Sequence, residues 1–472
     1  MAVTPEELAS SPAATPLRWQ PLGWIKRIAS HQDIWWLAAI FLVAFSLRLA
    51  WIGYVSPDPA DGRYDDTVWY DFTARKLAEG KGYVFDPSVW LDGEGNRIYE
   101  DDSIGGPTAL WPIGYPLILS TVYTVFGGSL LAAKLLNALL GAATALALYG
   151  VGTKLFNQRV GLLAAFLLAL FPSHIFFSTL TMTEVTYTFL FVLLLYLIIA
   201  WTLERQSPTP YQLLALGLLV GAGTMVRGEL LLFPVVMVAV WFLAYRSWAK
   251  VGRHLGLVLV GMAVLFAPWT VRNVVQMGAP IVTTTGMGQV LLQGHFEGAD
   301  GGDHLFVVAA KHREFSHLSN PEREIEINAS ATREALRYAV THPGHELRLI
   351  PRRLLHLYGD DESGIKWTQS NRPTLSDTAQ DRLTELSNGY YFVVLGMAAV
   401  GVPFSLSGRD SRRLLPLMAI VYYTLMFAII FFGHSRYHIP LLPLFSLLAA
   451  LGAVSLFGYL RNRRERAGSE GP

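Results

Sequence analysis

The chain has no cysteine in 472 residues, and Asp, Glu, Lys and Arg together make up only 15% of it. Without cysteine there is no disulfide framework, no thiolate nucleophile and no Cys-ligated metal. Soluble domains carry nearer a quarter charged residues, so a chain that is 52% hydrophobic reads as a membrane protein. The net charge of +1 by itself argues neither for nor against nucleic acid. Residues 1–33 lack the short apolar core and cleavage site of a signal peptide. Polar and rich in Pro and Ala, they read as a cytoplasmic tail.

What the chain has in quantity is long apolar runs. A bilayer span needs roughly 20 mostly apolar residues, and candidates lie at 34–55, 129–151, 159–178, 183–203, 210–227, 229–246, 253–271, 389–407, 413–432 and 438–459. The segment 112–128 is shorter and closed by a Gly pair. If it does not cross, sixteen basic residues in short segments face the cytoplasm: Arg18, Lys26, Arg27, Lys154, Arg159, Arg205, Arg246, Lys250, Arg253, Arg409, Arg412, Arg413, Arg461, Arg463, Arg464 and Arg466. The short outer loops then hold only Arg227 and Arg436. Positive charge favours the inside, so the expectation is an all-α polytopic protein of about ten spans, with 112–128 interfacial or re-entrant and eleven spans if it crosses. The domain reading follows. A tail, 1–33, precedes a membrane module, 34–271, that contains an outer loop at 56–128. A helical outer segment at 272–388 leads to a second membrane module, 389–460, and a basic tail, 461–472.

Ionisable groups in or at the ends of spans are costly, and here they collect on one face. Asp65 and Asp66 follow span one, which carries Arg48 in its outer half; Lys134 and Asn137 open span two. His174 and Glu184 flank an outer loop, Arg227 and Glu229 bracket the turn VRGEL, and Arg272 lies at the end of span seven. His434, Arg436 and His438 form the turn GHSRYHIP. Plainer roles stay open for each. Arg48, Lys134 and Arg272 could snorkel to the interface, and an aspartate of the pair could cap the following helix. Glu184 could cap span four, and His174 and His434 could be interfacial polar residues. The plain roles leave the clustering on one face unexplained. Arginines fork around phosphate, and a nearby carboxylate can take a proton from an attacking hydroxyl. Together these describe group transfer from a lipid-anchored phosphate.

The acidic pair is followed by Y-x-x-x-A-x-x-L-x-x-G-x-G-Y, here Tyr70, Ala74, Leu77, Gly80, Gly82 and Tyr83. This resembles the first outer loop of GT-C glycosyltransferases, and more narrowly the branch of protein O-mannosyltransferases and lipid A aminoarabinose transferases. WPIGYP (111–116), LFPSHIFFSTLTMTE (170–184), APWTVRNVVQMGAPIVTTTGMGQVLLQGH (267–295), EALRYAVTHPGHELRLIPRRL (334–354) and RYHIPLLPLFSLLAA (436–450) resemble further segments of that branch, in order. Their order and spacing carry the resemblance, since no single motif is very specific. Ile113 interrupts WPIGYP, and no outer C-terminal domain follows the tenth candidate span.

The resemblance implies an inverting transferase using a polyprenyl-monophosphate-linked sugar on the outer face of a bacterial inner membrane. Its partners would be that donor, an acceptor lipid, glycan or protein, and the bilayer, with no nucleic acid. Carried onto this chain, the general base is Asp66, spaced D-x-x-x-Y from Tyr70, with Asp65 as runner-up. The donor phosphate falls to Arg436, with Arg272, His438, Arg227 and Lys134 behind it, and substrate contacts to Tyr70, Glu184, His174, His434, His295 and Arg48. No cofactor is expected, and no metal: Asp300 and Asp303 in EGADGGDH do not complete a calcium loop. No Gly-rich loop follows a strand, which argues against a nucleotide-sugar donor. The competing reading is a transporter or flippase of an anionic lipid or lipid-linked sugar. It would want polar groups through the membrane, where most spans have apolar middles.

Overall fold

The computed structural model describes residues 31–58, 66–86, 105–204, 207–369, 374–407 and 410–469. Asp65, Arg205, Arg409 and most of the N-terminal tail therefore lie outside the described residues. With no water in the bilayer to bond exposed amides, apolar segments must close their backbone hydrogen bonds internally, and helices do so. Among the described residues eight helices are long and apolar enough to cross a membrane. A ninth unit is a bent pair, Gln158–Ala169 with Pro172–Thr179, turned by 59°. Phe171 is extended there and Pro172 has no N–H to continue the ladder, so the expected span 159–178 breaks at that point. The expected segment 210–227 is the apolar helix Pro210–Val226, 17 residues long. The fold is thus all-α and polytopic.

Side-chain caps mark where helices leave the apolar zone. Ser129, Asn157 and Ser376 accept backbone N–H groups at 3.3, 3.1 and 3.3 Å. Thr209 and Gln212 form a reciprocal capping box. The last helix occupies the middle of the bundle: 78% of the apolar window of Ser435–Arg463 is buried, against 28% for the first span. Small residues let its neighbours approach. A Cβ on Gly401, in helix Asp377–Leu406, would overlap the Leu448 carbonyl of helix Leu442–Ser469.

Three pieces from the segments 56–128 and 272–388 frame the site. Helix Asp66–Ala78 buries Trp69, Tyr70 and Ala74 and stops at Gly80 and Gly82, whose φ of +73° and +84° suit residues without a Cβ. Helix Gly114–Val125 has 12 residues, or about 18 Å at 1.5 Å per residue, short of the roughly 30 Å hydrocarbon core. It packs on the first helix, with Tyr115 edge-on to Tyr70 (ring centroids 5.3 Å apart) and the Tyr123 hydroxyl donating to Asp71 at 2.5 Å. The described residues of 272–388 are mostly helical and include the helices Glu322–Thr341 and Pro343–Tyr358. An antiparallel pair, Val84–Phe85 with Gly106–Pro107, is too short to have an alternating signature.

Candidate active site

Asp66 begins its helix, where the exposed amides favour an acidic side chain. Its carboxylate reaches across 370 residues to the Arg436 guanidinium at 2.5 Å. Arg436 stands in the short 3-10 helix Ser435–Leu441, whose entry is set by His434: the imidazole Nδ1 accepts the Arg436 backbone N–H at 3.0 Å. Burial pushes the His434 pKa down, consistent with a neutral ring that accepts at this nitrogen. The Arg436 Nε–H donates to Glu184, and the guanidinium lies 4.9 Å from the centroid of the Trp367 ring.

Glu184 opens helix Glu184–Leu197 and is fully buried. The same carboxylate oxygen that takes Arg436 also takes Arg227, at 2.7 Å, while the Glu184 Oε2 has no hydrogen-bond partner among the described residues. Arg227 ends helix Pro210–Val226 and continues to Glu229 at 2.7 and 2.8 Å. The result is a chain of alternating charges, Asp66, Arg436, Glu184, Arg227 and Glu229. Buried charges are tolerable only when paired in this way.

The network edges a cavity of about 140 Å³, lined on its polar side by Asp66, Tyr70, Arg227, Glu229 and Arg436. Trp111, Pro112, Met287, Phe427 and Phe431 add apolar surface to the same lining. Burial, then the Asp66 charge, pushes the Tyr70 hydroxyl well up, so it remains a protonated donor. The lining offers two guanidiniums and two carboxylates, Glu229 paired with Arg227 and Asp66 with Arg436, an arrangement suited to holding an anion and accepting a proton from a neighbour. Among the described residues, no three His, Asp or Glu side chains group as metal ligands. Asp300 instead accepts from Gly302 N–H and faces His304, at 2.9 and 3.0 Å.

Of the residues singled out in the sequence, Asp66, Arg436, Arg227, Glu184 and Tyr70 come together here. The others that the structure describes lie off the cavity lining and make contacts elsewhere. Arg272 donates to the Thr108 and Tyr83 carbonyls at 2.7 and 2.6 Å, bracing the short strand pair. Lys134 donates to Ser56 and to the Pro57 carbonyl at 2.8 and 2.6 Å. Arg48 and His174 bond each other at 2.7 Å, both fully buried. His438 contacts the Leu357 carbonyl at 2.6 Å and Asp361 at 3.1 Å. His295 contacts the Ile430 carbonyl at 2.9 Å and Glu346 at 3.0 Å. Trp111 and Trp367 were not among the candidates; Glu229 stood among the costly groups, at the turn VRGEL, but was assigned no role.

Glu324 lies apart from the network and gathers the walls. Its buried carboxylate accepts from Thr108, from Ala109 N–H at 3.0 Å, from Thr285 at 2.9 Å and from Asn320 at 2.6 Å. Residues 108–112 and 284–287 both carry cavity lining, so this carboxylate ties two parts of that lining to helix Glu322–Thr341.

Comparison with known proteins bears on the fold. Residues 111–271 match the model of the family described as dolichyl-phosphate-mannose-protein mannosyltransferase, which is less than half of the chain. No curated protein matches in sequence. The oligosaccharyltransferase of Archaeoglobus fulgidus in the apo form is similar at a TM-score of 0.54 and 13% identity, over 95% of this chain and 53% of that one. The archaeal oligosaccharyltransferase AglB from Archaeoglobus fulgidus, in complex with an inhibitory peptide and a dolichol-phosphate, gives 0.51 and 14%, over 94% and 53%. ArnT from Cupriavidus metallidurans bound to undecaprenyl phosphate gives 0.49 and 14%, over 90% and 60%. The chain spans about half the length of the first two solved structures. At these identities the likeness is one of architecture: the chain is a multi-pass membrane protein with the GT-C fold.

Proposed function

We propose that this protein is an integral membrane glycosyltransferase that moves a sugar from a polyprenyl-monophosphate donor to an acceptor hydroxyl, with inversion. One observation carries the reading: a carboxylate, Asp66, and two guanidiniums, Arg436 and Arg227, share the lining of one cavity with several apolar side chains. The donor phosphate sits against Arg436 and Arg227, which neutralise charge building on the leaving oxygen. Phe427, Phe431 and Met287 offer the prenyl chain an apolar surface. The acceptor oxygen attacks the anomeric carbon opposite the phosphate, its proton passes to Asp66, and the sugar–phosphate bond breaks to leave polyprenyl phosphate.

Arg436 holds the Asp66 carboxylate in an ion pair. A phosphate that draws Arg436 away frees it, so donor binding precedes proton abstraction. The family match at 111–271 and the fold shared with a dolichol-phosphate complex support a lipid-phosphate donor. The positive-inside count supports a site facing the outside of a bacterial inner membrane.

Mass spectrometry of glycolipids and glycoproteins from a strain lacking the protein tests the reading. The expected result is loss of one sugar modification, accumulation of its bare acceptor and restoration by the wild-type chain. An unchanged glycoconjugate profile would refute it.

A further inference from the structure

A second cavity, of about 520 Å³, opens between helix Gln158–Ala169 and the end of helix Leu442–Ser469. It lies at the opposite membrane boundary from Asp66. Arg436 stands just before the last helix, and Arg461 is 19 residues beyond its start, about 29 Å at 1.5 Å per residue and close to the roughly 30 Å hydrocarbon thickness.

The lining is graded with depth. Arg159 and Arg461 stand at the rim; Leu163 lies one turn inward from Arg159, and Phe457, Val454 and Ala453 lie one to two turns inward from Arg461. Gly458 leaves the floor open, since a Cβ there would meet nothing within 4 Å. Arg159 is exposed and forms no ion pair or hydrogen bond among the described residues, whereas Lys154 and Arg412 on the same side are neutralised by Glu204 and Asp410. Among the described residues Arg461 pairs only with Glu465 of its own helix, at 3.2 Å. The rim therefore carries an uncompensated positive charge above an apolar trough.

We propose that this cavity binds one acidic phospholipid of the leaflet opposite the Asp66 site. Its phosphate lies between Arg159 and Arg461, and an acyl chain runs along Leu163, Val454 and Phe457. Basic pockets between membrane helices suit anionic headgroups, and the leftover charge selects a net-negative lipid over a zwitterionic one. The assignment does not depend on the function proposed for the outer cavity.

The test is native mass spectrometry of the full-length protein with phosphatidylglycerol or phosphatidylcholine. The wild type is expected to retain phosphatidylglycerol preferentially. Removing the charges with Arg159→Gln and Arg461→Gln lowers that retention roughly five-fold for each arginine. Gly458→Leu fills the trough, keeps the charge and lowers retention as well, while Lys250→Gln, outside the lining, leaves it unchanged. All substituted positions are at the open surface or face open space, so gel-filtration profiles stay those of the wild type. Equal retention of both lipids by the wild type, or undiminished phosphatidylglycerol in the double-arginine variant, overturns the proposal.

Discussion

The Glu184→Gln substitution probes the charge chain where it is most enclosed. Glu184 is fully buried and one of its oxygens receives both Arg436 and Arg227. Removing one partner of a buried pair costs about 3–5 kcal/mol, chiefly because a charge is left uncompensated. Two pairs break here, but each arginine keeps another carboxylate: Asp66 for Arg436, and Glu229 for Arg227. The glutamine oxygen can still accept. The expected cost therefore falls to about 3 kcal/mol, the low end of that range for one pair. Asp66→Asn touches a side chain that is 24% exposed, and its cost should stay near 1 kcal/mol. Thermal melting of the purified protein in detergent reads both. Glu184→Gln is expected to melt several degrees below the wild type and Asp66→Asn close to it. A Glu184→Gln protein that melts at or above the wild type would refute the claim that this carboxylate holds the two arginines.

Further substitutions test other joints of the account. Gly401→Ala drives a Cβ into the Leu448 carbonyl and should cost about 1–3 kcal/mol, seen as earlier aggregation when heated samples are run on gel filtration. Glu324→Ala strands four donors and should cost about 2–3 kcal/mol, with faster limited proteolysis of residues 272–388. Burial raises the Glu324 pKa above its ordinary 4.5, so the folded chain keeps a proton that the unfolded chain has released. That contribution is fully present below 4.5 and is lost as pH rises through the folded value; Glu324→Gln, fixed neutral, should lack this decline in a comparison of melting against pH. Arg272→Gln removes the donor from the Tyr83 and Thr108 carbonyls and should lower stability by about 1–2 kcal/mol, with donor KM unchanged. A raised KM at unchanged melting would place Arg272 on the phosphate instead.

The helical architecture was legible because a span must be apolar over roughly 20 residues, and that pattern survives any rearrangement of neighbours. The break at Phe171–Pro172 also had a local cause, in proline's missing N–H. The direction of each cation was not legible, because it is decided between residues far apart in sequence. Lys134 is consumed by Ser56 and Pro57, and Arg48 by His174, through packing that hydropathy does not encode. Glu324 lies in EREIEIN, which reads as a solvated helix face, and only the folding of residues 108–109 and 285 onto it buries the carboxylate. Asp66 and Arg436 were readable for the opposite reason: each is a costly group at a membrane boundary, beside a turn that leaves it little else to do.

The central claim is that Asp66 takes the acceptor proton after Arg436 has turned to the donor phosphate. The most direct measurement compares wild type and Asp66→Asn for binding of a polyprenyl-phosphate sugar and for its turnover. The account predicts retained binding, through Arg436 and Arg227, with turnover lowered by roughly 10²–10⁴, the usual contribution of a general base. Turnover at the wild-type rate in Asp66→Asn would contradict it.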